Sequence, residues 1–191
     1  MGRSARREHL INTAVELFCE HGFHATGIDK ILAKAGVSKK TLYTHFRSKE
    51  ELIMAALRQH DGLFRNNFMR QVDHIGNTPW EKLLTIFDVA EAWFSQKKFF
   101  GCMFINAIGE YSEKDSPIRD ICKQYKRLIQ MYIRDLCVQA GAKDPDVLAD
   151  QLALILEGAI VTAQVSQNPE AAKTGKNIAQ AILSVNRRSC A

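Results

Sequence analysis

Four X-Pro pairs constrain this chain more than any other feature: Thr78-Pro79, Ser116-Pro117, Asp144-Pro145 and Asn168-Pro169. In each, a side chain able to accept from a free amide stands directly before proline, whose missing N–H would be unpaired anyway at the first helical position. Each pair therefore predicts a helix start, and Thr78-Pro79-Trp80-Glu81 completes a capping box. Thr26-x-x-Asp29, Ser38 and Ser48-x-x-Glu51 give further starts, while Gly22, Gly36, Gly76, Gly101 and Gly141 fall where helices would stop.

Between these marks the apolar spacing is helical. Leu10, Ala14, Leu17 and Phe18 form one stripe, Ile28, Ile31, Leu32 and Ala35 a second, and Leu52, Ala56, Leu63, Phe64 and Phe68 a long third. No alternating β-branched run predicts a strand. The expectation is an all-α chain of about nine helices, near residues 4–21, 28–35, 39–45, 49–73, 79–97, 102–113, 117–140, 145–166 and 170–187. A division falls near residue 48: short helices in 1–48, then a longer helical domain, 49–191, entered through a connector helix that begins at Lys49.

Charge divides at the same place. Of the formal +5, residues 1–50 carry nine Lys/Arg against five Asp/Glu, and the rest seventeen against sixteen. A polyanion-binding surface is expected at the basic end. A hydrophobic content of 46% in 191 residues is enough for a core and argues against disorder. The apolar stretch 152–161 is too short to span a bilayer and carries Glu157, and the first residues do not read as a secretory signal, so a soluble cytoplasmic protein with no membrane association is expected. Five scattered cysteines without a CxxC pair speak against a disulfide scaffold or thiolate zinc site. The six histidines show no metal spacing, and no metal or cofactor is expected.

Residues 26–46 carry the strongest local signal. Two short helices joined by a turn at Gly36-Val37, the second capped by Ser38, form a helix-turn-helix whose second helix can enter a DNA major groove. Packing through Ile28, Ile31, Leu32, Val37, Leu42 and Phe46 leaves Lys39, Lys40, Thr41, Tyr43, Thr44 and His45 toward the outside. Cations, hydroxyls and rings suit phosphates, base edges and thymine methyls. Thr26 and Ser48 are expected to cap helix starts that can receive phosphate, and Lys49 stands where the helix dipole favours an acid unless an anion docks there.

Two strings, Gly22-Phe23-His24-Ala25-Thr26-Gly27-Ile28-Asp29-Lys30-Ile31 and the run 35–52 containing Gly36-Val37-Ser38-Lys39-Lys40-Thr41-Leu42-Tyr43-Thr44-His45-Phe46-Arg47-Ser48-Lys49, resemble the DNA-binding region of the TetR family of bacterial transcriptional regulators. The resemblance implies phosphate contacts for Thr26, Tyr43, His45 and Lys49, and a base-reading face of Lys39, Lys40, Thr41 and Thr44. Family members often carry glycine in place of Lys40, which leaves base or phosphate open to it; Gly27 replaces a small polar residue that contacts phosphate. The resemblance also implies a homodimer on a palindromic operator, repression as the default outcome, and release by a small-molecule effector through the helix from Lys49.

The remaining helices are expected to supply the effector site and the dimer seam. Aromatic wall material is available from Phe64, Phe68, Trp80, Phe87, Trp93, Phe94, Phe104, Tyr111 and Tyr125, with Asn106, Glu110 and Gln164 as polar anchors. Leu152, Ile155, Leu156, Ala159, Ile160, Ala163, Ile178 and Ile182 form stripes suited to a four-helix seam, or to packing inside one subunit. Cys102, at a helix start, raises a redox-sensing alternative; Cys190 is read as incidental. An enzyme or a protein-binding adaptor is the rival class. The sequence holds no nucleophile elbow, Walker loop, GxGxxG or HExxH, so no catalytic residue is assigned.

Overall fold

A computed structural model describes residues 3–186. Cys190 lies outside the described residues. Nine helices occur among them: α1 (Arg3–His21), α2 (Ile28–Ala35), α3 (Lys39–His45), α4 (Lys49–Ile75), α5 (Pro79–Phe94), α6 (Met103–Glu110), α7 (Pro117–Gln139), α8 (Pro145–Ser166) and α9 (Glu170–Asn186). No helix among them is long and apolar enough to cross a membrane.

The four X-Pro pairs all open helices. Thr78 Oγ1 accepts from Glu81 N at 3.2 Å while Glu81 Oε2 accepts from Thr78 N at 3.1 Å, which closes the capping box. Asp144 accepts from Val147 N, Ser116 from Ile118 N, and Asn168 from Glu170 N. Two helices are shorter than expected. α5 stops at Phe94, where the Ser95 hydroxyl donates back to Glu91 O and Phe99 N to Gln96 O. α6 stops at Glu110, whose carboxylate is engaged elsewhere in the fold.

The chain forms two compact units. Among the described residues the first comprises 3–64 and 102–125, so α1, α2, α3, the first half of α4 and all of α6 belong together. Leu10, Ala14, Phe18, Phe23, Ile31, Leu42, Phe46, Leu52 and Phe104 make its core. The second comprises residues 65–101 and 126–186, with α8 and α9 packed along one another and α5 against α9. Its close packing is visible at Gly175, where an added Cβ would meet the Phe87 ring at 3.1 Å. Lys176 Nζ reaches both carboxylate oxygens of Asp88, at 2.6 and 2.7 Å, and ties α9 to α5.

Candidate nucleic-acid interface

Sequence places α3 by its two apolar anchors. Leu42 and Phe46 are both buried, so the opposite face of this seven-residue helix must point outward. Ser38 accepts from Thr41 N at 3.2 Å and starts the helix. Gly36 takes the left-handed conformation (φ 63°) that turns the chain from α2 into α3, and its N–H closes on Leu32 O. His9 Nε2, 3.1 Å from Ala35 O, donates from α1 to the end of α2, and the Arg7 guanidinium lies 5.2 Å from the Phe46 ring centre. A two-helix motif of this kind is thus braced on α1 from both ends.

On the outer face, Lys39, Lys40, Tyr43 and Thr44 are exposed, Tyr43 by 49%, and Thr41 and His45 are half-buried beside them. The Thr44 hydroxyl donates to Lys40 O at 2.8 Å, which leaves its oxygen able to accept. Ser48 accepts from Glu51 N and Glu51 Oε2 from Arg47 N, so the start of α4 is capped as the sequence predicts. Lys49 Nζ extends to His24 O, 3.5 Å away, in the turn between α1 and α2.

Thr26 corrects one expectation. Its side chain is fully buried, with the hydroxyl 2.7 Å from Gly22 O and 3.2 Å from Leu17 O, and the N-cap of α2 is Gly27. A hydroxyl turned inward onto carbonyls cannot hold phosphate; Thr26 locks the turn instead. The signal that misled was the Thr-x-x-Asp pattern, one residue out of phase with the real cap.

The expected effector-wall residues are distributed over both units. In the first unit, Phe104 and Tyr125 stack at 3.7 Å with nearly parallel rings, and His60 lies against both Phe64 (5.5 Å) and Phe104 (5.9 Å). His60 was not among the expected residues; burial lowers its pKa to about 4, so the imidazole is neutral there. Asn106 is half-buried on α6. Tyr111 packs elsewhere, on Phe23 and His24, and Glu110 binds backbone amides of the same turn rather than serving as a pocket anchor. In the second unit, Phe68, Phe87 and Phe94 are core, Trp93 meets Phe94 and Phe99, Trp80 is half-buried, and Gln164 lies on Gly101.

The stripe expected at the dimer seam, or in packing inside one subunit, divides by burial. Leu152, Leu156, Ala159, Ile160 and Ala163 are buried within the subunit, and Ile155 and Ile182 are half-buried; Ile178 alone of that set is exposed. The outward apolar stripe consists of Leu154, Val161 and Val165 on α8 and Ile178 and Val185 on α9. Cys102 is buried at the start of α6 and makes no capping bond, and burial together with the nearness of Cys102 pushes the Cys19 thiol up to about 11. The burial of Cys102 disfavours the redox alternative, since the reactive species is an accessible thiolate. Among the described residues, no group of three His, Cys, Asp or Glu could hold a metal ion.

Residues 10–56 match the family described as "Bacterial regulatory proteins, tetR family", and residues 79–179 match "Tetracyclin repressor-like, C-terminal domain". The chain belongs to the TetR family. As a TetR-family protein it is a helix-turn-helix transcriptional regulator, and its relatives are regulators too. It is 26% identical over 182 residues to the HTH-type transcriptional repressor DhaR of Mycobacterium sp. (strain GP1), covering 89% of this chain and 88% of that protein. It is 50% identical over 58 residues to the HTH-type transcriptional activator FasR of Mycolicibacterium smegmatis, covering 30% of this chain and 26% of that one. Among solved structures, SCO4454, a TetR-family transcriptional regulator from Streptomyces coelicolor, superposes with a TM-score of 0.87 at 26% identity, covering 97% of both chains.

Proposed function

We propose that this TetR-family regulator is a homodimeric, effector-released repressor acting on a palindromic operator in the cytoplasm. The observation that carries the reading is the outer face of α3, where Lys39, Lys40, Thr41, Tyr43, Thr44 and His45 surround a helix anchored by buried Leu42 and Phe46. Lys39, Lys40, Thr41 and Thr44 read base edges from the major groove. Ser38, Tyr43, His45 and Lys49 hold the flanking phosphates.

Two such heads, one per protomer, meet half-sites about 34–36 Å apart, one helical turn of DNA. The exposed stripes of α8 and α9 form the seam: Leu154, Val161 and Val165 recur on one face of α8, and Ile178 and Val185 on one face of α9. Phe64, Phe104 and Tyr125, joined by His60, supply one wall of the effector site. An effector that prefers the non-binding state weakens operator affinity by the ratio of its affinities for the two states.

Footprinting of the purified protein on genomic DNA tests the reading. A protected palindrome whose binding weakens steeply with salt is expected, log K falling by about 0.9 per neutralised phosphate for each unit of log salt. Equal binding to every duplex, or none at low salt, overturns it.

A further inference from the structure

The turn between α1 and α2 contains a backbone anion site, and it is occupied. Gly22 adopts a left-handed conformation (φ 80°), and beyond it the N–H groups of Phe23 and His24 face the same side. Successive amides after such a residue form a concavity that binds anions. The anion is the carboxylate of Glu110, 86 and 87 residues away in sequence: Oε1 accepts from Phe23 N at 2.8 Å and Oε2 from His24 N at 2.6 Å. Oε2 also lies 3.3 Å from His24 Nδ1, and the neighbouring Tyr111 ring packs on His24 at 4.8 Å. The fit is close, because a Cβ on Gly22 would stand 2.8 Å from Glu110 Oε1.

Glu110 is the last residue of α6. An acid is disfavoured at that end of a helix, where the macrodipole is negative. The two charge-assisted bonds to the turn offset that cost. The turn also sets the geometry of the DNA-reading head. Thr26, buried within it, bonds Gly22 O and Leu17 O directly before α2 begins, and Lys49 at the start of α4 reaches His24 O.

We propose that Glu110 is a positioning residue for operator binding. By filling the amide nest it fixes the direction in which α2 leaves α1, and hence how α3 is presented to the groove. Without the carboxylate the turn gains conformations, and each head must be ordered again on binding DNA.

Chemical rescue tests this with the full-length protein and a duplex that the parent selects from a random library. At constant ionic strength, Glu110→Ala is expected to bind that duplex about tenfold more weakly, as suits loss of a charge-assisted bond. Hydrogen exchange at the Phe23 and His24 amides is expected to accelerate together with that loss. Replacing chloride by formate, a free carboxylate small enough for the vacated nest, restores affinity and amide protection in Glu110→Ala and leaves the parent unchanged. Parent-like affinity in Glu110→Ala, or a loss that formate does not restore, overturns the proposal. If Glu110→Ala does not fold, Glu110→Gln decides: it keeps the size but turns an NH2 toward one of the two amides. A loss of affinity at unchanged melting temperature supports the proposal, and parent-like affinity overturns it.

Discussion

Gln164 on α8 lies directly on Gly101: a Cβ built on Gly101 would overlap Gln164 Oε1 and Cδ. Gly101 also has φ 81°, which disfavours any L side chain. The overlap falls on the far end of a flexible side chain, which can turn aside, so backbone strain is the larger penalty. Gly101→Ala is expected to destabilise the protein by about 1–2 kcal/mol. Gln164→Ala in the same background should recover little of that loss. Urea melts of the two single variants and the double variant check this through their coupling energy.

His60 gives a pH dependence with a definite sign. Its pKa is about 4 in the folded protein against 6.5 for the free side chain, because burial disfavours the imidazolium. The unfolded chain therefore binds the proton first as pH falls. The stabilising contribution is fully present above about pH 6.5 and is lost progressively down to about pH 4, by at most about 3 kcal/mol. His60→Phe retains a ring against Phe64 and Phe104 but cannot titrate. Its stability relative to the parent should rise steadily between pH 6.5 and 4; a constant difference across that window would contradict the assignment.

Local chemistry made the helices legible. Proline after a capping side chain marks a start without tertiary help, and four of nine helices announced themselves in this way. α8 shows where that legibility ends. Apolar residues occur on both its inner face, at Leu152, Leu156 and Ala163, and its outer face, at Leu154, Val161 and Val165. Periodicity finds both stripes and cannot say which is covered by the same chain. Small residues favoured the inner one as a seam, but their true partners are neighbouring helices of the subunit. Glu110 was illegible in its real role for another reason: its partners are backbone amides 86 and 87 residues away, which carry no side-chain signature.

The two faces of α8 can be separated by experiment. Leu154→Glu or Val161→Glu places a charge on the outer stripe, where a free subunit tolerates it and a dry seam does not. Sedimentation should show monomers at concentrations where the parent is a dimer, with operator affinity lost because the two half-sites are no longer linked. Leu156→Ala, two residues from Leu154 but buried, should leave the mass unchanged in native buffer and destabilise the fold by about 2–5 kcal/mol. A dimeric Leu154→Glu, Val161→Glu double variant would move the seam elsewhere.

Division of labour along α3 and α4 can be read from three substitutions on one operator. Tyr43 is exposed at 49%, which leaves its side chain accessible to phosphate. Tyr43→Ala should weaken binding to every duplex alike. Lys49→Ala should also do so, and in addition make the salt slope shallower by about one, since one cation no longer displaces a counterion. Thr44 differs because it is exposed while its hydroxyl is fixed on Lys40 O. Thr44→Ala should cost about 1–3 kcal/mol on the preferred operator and little on a duplex altered at the single base pair it reads, flattening the preference there. Competition titrations against a panel of single-base operator variants make the comparison. A uniform loss for Thr44→Ala, or a position-specific loss for Lys49→Ala, would mean that α3 enters the groove at a different angle from the one its buried anchors imply.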